Sequence, residues 1–137
     1  MTRSFISGGF DFIHPGHVRL IEHAALLGDL TIGIYDDWSI QELRGKGRPV
    51  NPLADRMEVL YALRYVKEVI PFSARAPIAL LKDLYADGRG PNVVCKGSEY
   101  DGRYIPERTV VERHGGTIVF LQHSTQHSTS EIIQKCK

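Results

Sequence analysis

The chain has 137 residues, 42% hydrophobic and 24% charged, with 17 Lys+Arg against 16 Asp+Glu for a formal net charge of +1. That length suits one domain, long enough to bury about two-thirds of its unfolded surface without staples. The near-zero charge supplies no bulk field for nucleic acid, so any anion must be held by a local cluster.

Cys95 and Cys136 lie far apart, which argues against a disulfide framework or a zinc ribbon. No apolar run approaches the roughly 18 residues of a membrane helix, and Met1–Ser4 leads into a strand without the apolar stretch of a signal peptide. The expectation is a cytoplasmic protein with one domain over residues 1–137, and no nucleic-acid or membrane partner.

In chain order, Ser4–Ser7 reads as a short buried strand stopped by Gly8-Gly9. Gly16–Leu27 places Val18, Ile21, Ala24 and Ala25 at helical spacing, and Gly28 stands where a helix end favours a residue free to take positive φ. Leu30–Tyr35 is a second strand and Arg44–Pro49 a basic, glycine-rich loop. Asn51 is a good N-cap before Pro52 at the first helical position, predicting a helix over about Leu53–Tyr65.

Val66–Pro71 is a third strand, Pro77–Tyr85 a helix, Asn92–Cys95 a fourth strand, Pro106–His114 a helix and Thr117–Leu121 a fifth strand. Ser128-Thr129-Ser130-Glu131 has the pattern of a capping box opening a last helix. This alternation predicts the α/β class: a five-stranded parallel sheet with helices on both faces.

Ligands of such sheets bind beyond the carboxyl ends of the strands. The first segment there is Gly8-Gly9-Phe10-Asp11-Phe12-Ile13-His14-Pro15-Gly16-His17. Its glycines let a ligand approach the backbone. His14 and His17 flank a helix start whose N–H groups and dipole favour a phosphate. The same residues also read as a loop with two solvated histidines, and Asp11 as the cap of a turn. A zinc site is disfavoured, because no Cys or carboxylate cluster accompanies the histidines; no metal ligand is assigned.

Arg44-Gly45-Lys46-Gly47-Arg48 reads either as a solvated basic loop or as a phosphate clamp. Ser128, Thr129 and Ser130 read as a helix cap or an anion site. Neither G-x-x-x-x-G-K-[ST] nor G-x-G-x-x-G is present. Together the three weak anion sites suit a polyphosphate.

Gly8-Gly9-Phe10-Asp11 with His14-Pro15-Gly16-His17 resembles the G-x-F-D and H-x-G-H signature of the cytidylyltransferase-like nucleotidyltransferases, and Ser128–Ile133 resembles their S-T-T-x-I-I motif. Arg48–Met57 (RPVNPLADRM) and Lys96-Gly97-Ser98-Glu99-Tyr100 are similar to stretches of the D-glycero-β-D-manno-heptose 1-phosphate adenylyltransferases. Gly9 replaces the threonine of G-T-F-D, Ser130 the last threonine of S-T-T, and His123–His127 matches neither this group nor the glycerol-3-phosphate cytidylyltransferases.

The resemblance implies a Rossmann-like nucleotidyltransferase that joins the NMP of ATP, in preference to CTP, to a sugar phosphate. ADP-heptose for lipopolysaccharide is the product it implies. The alternatives are a cytidylyltransferase acting on glycerol 3-phosphate or another small phosphate, and a nucleotide-binding sensor without catalysis. The resemblance further implies His14, His17 and Lys46 as catalytic residues, and Gly8, Gly9, Phe10, Lys96, Gly97, Ser128, Thr129 and Ser130 as further nucleotide contacts. Asp11 and Arg56 would hold the acceptor phosphate or order the site, Mg2+ would bridge the phosphates, and the enzyme would be a homodimer. The heptose enzymes are often fused to a sugar kinase; the 137 residues hold no such domain, so any kinase would be expected on a separate chain.

Overall fold

The apolar runs become strands and the periodic segments between them become helices. The structure, a computed structural model, describes residues 1–122 and 129–136. The strands are β1 (Arg3–Gly8), β2 (Asp29–Tyr35), β3 (Val66–Phe72), β4 (Val93–Gly97) and β5 (Thr117–Leu121). The helices are α1 (Pro15–Leu27), α2 (Asp37–Arg44), α3 (Leu53–Tyr61), α4 (Ile78–Ala86), α5 (Arg108–Arg113) and α6 (Thr129–Lys135), with a 3₁₀ turn at Ser98–Tyr100.

All strand pairs are parallel, in the order β3-β2-β1-β4-β5. The chain runs outward from β1 to β3, then crosses back to β4. The crossing makes β1 and β4 the switch point, where loops diverge to opposite faces and leave a crevice at the carboxyl ends.

The central strand β1 buries both faces, so its neighbouring residues enter different cores. Ile6 packs with Ile21, Ala24, Ile32 and Leu60 beneath α1 and α3. Its neighbour Phe5 packs with Leu81, Leu84, Val94 and Val111 beneath α4 and α5. Each such side chain contributes about 1.5–3 kcal/mol on burial. Gly33 makes room for this arrangement, since a Cβ there would stand 2.8 Å from Phe5 Cζ.

The structure departs from the sequence expectation in four places. The helix α2 was not anticipated; Asp36 caps it by accepting from the Ser39 N–H at 2.8 Å. The helix α3 stops at Tyr61 rather than Tyr65, because bonds from Ala62 N to Val59 O and Leu63 N to Leu60 O tighten the chain into a turn. Asn51 is not its N-cap: Pro52 takes that position, and the Asn51 side chain donates instead to Asp11. Gly28 is extended (φ 163°, ψ 176°) rather than left-handed. Its glycine is required by close approach, since a Cβ would lie 2.7 Å from the Thr2 carbonyl oxygen.

Candidate active site

A cleft of about 620 Å³ opens at the carboxyl ends of the strands, lined from β1, β2, β4 and the starts of α1 and α6. Its centre is the start of α1. Here His14 is the N-cap, and its Nδ1 accepts from the Gly16 N–H at 3.1 Å. His17 Nδ1 in turn accepts from the His14 N–H at 3.2 Å. This reciprocal pair is a capping box built from imidazoles, where Ser or Thr with Glu or Gln is usual.

The cap fixes the chemistry of both rings. A neutral imidazole that accepts at Nδ1 carries its proton on Nε2. This assignment follows from the hydrogen-bond network rather than from observed protons. Both rings line the cleft with their centroids 3.9 Å apart. The arrangement therefore places two N–H donors beside the positive end of a thirteen-residue helix.

The preceding loop is held by force of packing. Phe10 (φ 53°) and Phe12 (φ 54°) are both left-handed, a conformation that costs non-glycine residues about 1–2 kcal/mol each. The Phe10 ring is buried and lies 5.5 Å from His17, and a Cβ on Gly8 would meet it at 3.1 Å. A Cβ on Gly9 would meet Ile40 at 3.1 Å. The space beside both glycines is thus taken by the protein's own side chains, with Gly8 and Gly9 still part of the cleft lining.

Asp11 is buried, and its carboxylate accepts from Val50 N at 2.7 Å and from Asn51 N and Nδ2 at 3.1 and 2.9 Å. Its carbonyl accepts from Thr129 Oγ1 at 2.8 Å. One residue thereby ties the histidine loop to the segment before α3 and to the start of α6. Arg56 is 1% exposed. It donates to the carbonyls of Gly9, Tyr35 and Asn51 at 2.8–2.9 Å and to Asp37 Oδ1 at 2.6 Å. It lies outside the cleft lining. Of the two roles suggested for Asp11 and Arg56, ordering the site is the one that fits these contacts.

The basic loop divides. Arg44 and Arg48 line the cleft, whereas Lys46 is exposed and does not. Arg48 Nη1 reaches Ser130 Oγ at 3.4 Å, while its buried Nε has no hydrogen-bond partner. Thr129 and Ser130 line the cleft; Ser128 lies outside the described residues.

Lys96 and Gly97 also line it, and the Lys96 ammonium lies 2.8 Å from a carboxylate the sequence reading missed, Glu107. Tyr35, also missed, lines the cleft from the end of β2. Burial, with the nearby charge of Glu107, pushes its phenol up to about 12. Among the described residues, no three His, Cys, Asp or Glu side chains group as a metal site. No helix among them is long and apolar enough to cross a membrane.

The model of the cytidylyltransferase-like family matches residues 5–135. Bifunctional protein HldE of Nitrosococcus oceani is 41% identical over 128 residues, covering 93% of this chain and 26% of that protein. HldE of Coxiella burnetii is 37% identical over 130 residues, covering 94% and 26%. The chain thus spans about a quarter of the length of the curated relatives it matches.

Two solved structures share the fold with a TM-score of 0.66 each. One is a lipopolysaccharide core biosynthesis protein from Thermoplasma volcanium, 21% identical and covering 90% of this chain and 99% of that one. The other is a protein of unknown function from Archaeoglobus fulgidus, 25% identical and covering 93% and 94%.

Proposed function

Since the chain belongs to the cytidylyltransferase-like family, we propose that it catalyses nucleotidyl transfer from ATP to a sugar phosphate, with D-glycero-β-D-manno-heptose 1-phosphate as acceptor. A phosphate oxygen of the acceptor attacks the α-phosphorus of ATP. The bond from that phosphorus to the β-bridging oxygen breaks, and pyrophosphate leaves. The nucleophile is already an anion, so the step needs no general base. What remains is alignment of the two substrates and stabilisation of charge on the equatorial and leaving oxygens.

The observation that carries this reading is the imidazole capping box. It commits both Nδ1 atoms to the helix start, which assigns the ring protons to Nε2 in two residues that line the cleft. Preorganised donors of this kind need no rearrangement as charge develops. Arg48, Thr129 and Ser130 line the same cleft and suit the β- and γ-phosphates, with Lys46 reaching them by movement of its loop. Gly8, Gly9, Phe10, Lys96 and Gly97 complete the nucleotide's surroundings. Asp11 and Arg56 order the acceptor side.

Mg2+ would enter with ATP and be held mainly by the nucleotide; no protein ligand is assigned to it, and the buried carboxylate of Asp11 is filled by its own chain. The working form proposed is a cytoplasmic homodimer.

Pyrophosphate release, measured with ATP or CTP against heptose 1-phosphate or glycerol 3-phosphate, tests the reading. Release with ATP and heptose 1-phosphate at least tenfold faster than in any other combination is expected. Faster release with CTP and glycerol 3-phosphate overturns the substrate assignment, and tight nucleotide binding with no release overturns transfer.

A further inference from the structure

The cleft wall formed by the end of β4 and the approach to α5 holds a buried charge that the transfer step leaves without a task. Glu107 is 1% exposed yet lines the cleft. Its Oε2 stands 2.8 Å from the Lys96 ammonium and has no hydrogen-bond partner beyond that ion pair. Lys96 is 17% exposed, with Nζ 5.2 Å from the centre of the Tyr100 ring. Glu107 is also close enough to act electrostatically on Tyr35, at the end of β2. Its carboxylate therefore bears on the shared interior of the cleft.

An ionised carboxylate only accepts hydrogen bonds and offers about four lone-pair sites. One ammonium leaves most of that capacity unused, and a buried ion pair is well compensated only when its remaining sites are filled. As a pair, Glu107 and Lys96 are neutral, so they have no net pull on a phosphate. A ligand group that both donates and accepts fits them better. Adjacent hydroxyls of a sugar do both, one donating to Glu107 while its neighbour accepts from Lys96. The lysine is the movable partner, its flexible stem letting the ammonium swing aside and uncover Oε2.

We propose that Glu107, paired with Lys96, is a specificity-determining residue that recognises a vicinal hydroxyl pair on a bound sugar, either the ribose of the nucleotide or the ring of the acceptor. The acceptor arm rests on the transfer reading above, and the nucleotide arm does not. The test titrates wild type and Glu107→Gln calorimetrically with ATP, 2′-deoxy-ATP and 3′-deoxy-ATP. It also measures KM for heptose 1-phosphate by pyrophosphate release at saturating ATP.

A lost hydrogen bond to a charged acceptor predicts at least about a tenfold effect in one arm. If the ribose is read, Glu107→Gln weakens ATP at least tenfold. A deoxynucleotide then shows that loss already in wild type, with little added by the variant. If the acceptor is read, nucleotide Kd stays the same and KM rises at least tenfold.

Both arms within twofold of wild type overturn the proposal, as does equal loss of ATP and both deoxynucleotides. Glu107→Asp keeps the charge but shortens its reach, and Tm is measured for each variant. Equal losses in both variants that track a fall in Tm mark a structural role and overturn it too. If wild type releases no pyrophosphate with any sugar phosphate, transfer is refuted while the calorimetric arm still decides the part of Glu107.

Discussion

Substitution of His17 can separate its structural duty from its chemical one. Its Nδ1 closes the cap by accepting from the His14 N–H, and its Nε2 carries the proton that would face the triphosphate. In His17→Ala both are lost. The missing cap should cost about 1 kcal/mol of stability. The missing donor should lower kcat by about 10²–10³, equivalent to about 2.7–4 kcal/mol of transition-state stabilisation.

In His17→Glu the cap is restored, because a carboxylate three residues after the N-cap accepts the same N–H, and negative charge at a helix start is favourable by about 0.3–1 kcal/mol. This variant should match wild type in urea denaturation and be at least as inactive as His17→Ala, since a carboxylate repels the phosphates. His17→Gln should keep the cap and recover part of the rate. Pyrophosphate release at saturating ATP and urea midpoints on the same preparations read the two duties apart. A rate for His17→Glu within tenfold of wild type would refute the donor role. A Gln variant less stable than the Ala variant would refute the cap.

Arg48→Ala should raise KM for ATP at least about tenfold, as expected for a charged hydrogen bond lost from the cleft, and by no less than Lys46→Ala. The reverse order in steady-state titrations would make Lys46, and not Arg48, the loop's main phosphate contact and refute the ranking. Arg56→Met removes a donor to three carbonyls and leaves them unpaired, so a loss of about 3–5 kcal/mol is expected in urea denaturation; a loss below about 1 kcal/mol contradicts its role as the tie between β1, β2 and α3. Burial pushes the Cys95 thiol up to about 11 while Cys136 is exposed, so iodoacetamide should label one thiol in the native protein and two in urea.

Burial alone would raise the Asp36 carboxyl, but hydrogen bonds from Ser39 and Ser73 and the charge of Arg56 outweigh it and hold the group below 3.8. A depressed folded value contributes stability that is present above the unfolded pKa and lost as pH falls through the folded one. The stability gap between wild type and Asp36→Asn should therefore shrink as pH drops below about 4, read from urea midpoints. A constant gap contradicts it.

The strands and five of the six helices were legible because each carries its own apolar period and is bounded by Gly, Pro or a cap. The helix α2 was not. It is eight residues long, buries only Ser39 and Ile40, and runs directly into the basic loop, so its one local signal was Asp36 at the cap. Asn51 followed by Pro52 is a good local cap, yet Asp11, forty residues away, takes the side chain. Tertiary demand overrides local preference there.

The same logic divides the site. His14 and His17 were legible as positions, but not as a mutual cap, since histidine is not among the usual capping residues. That cap is what assigns a proton to each Nε2, and so fixes the tautomer of two histidines beside a helix start. Glu107, within Ile-Pro-Glu-Arg-Thr, reads as an ordinary surface charge. The connection from β4 to α5 folds back to bring Lys96 against it, and the return of β4 beside β1 puts both in the cleft. Residues whose role comes from their neighbours along the chain are visible in a sequence. Residues whose role comes from a partner across the sheet become visible only when the crossover from β3 to β4 is drawn, and in this fold that crossover is also what creates the crevice where the ligand sits.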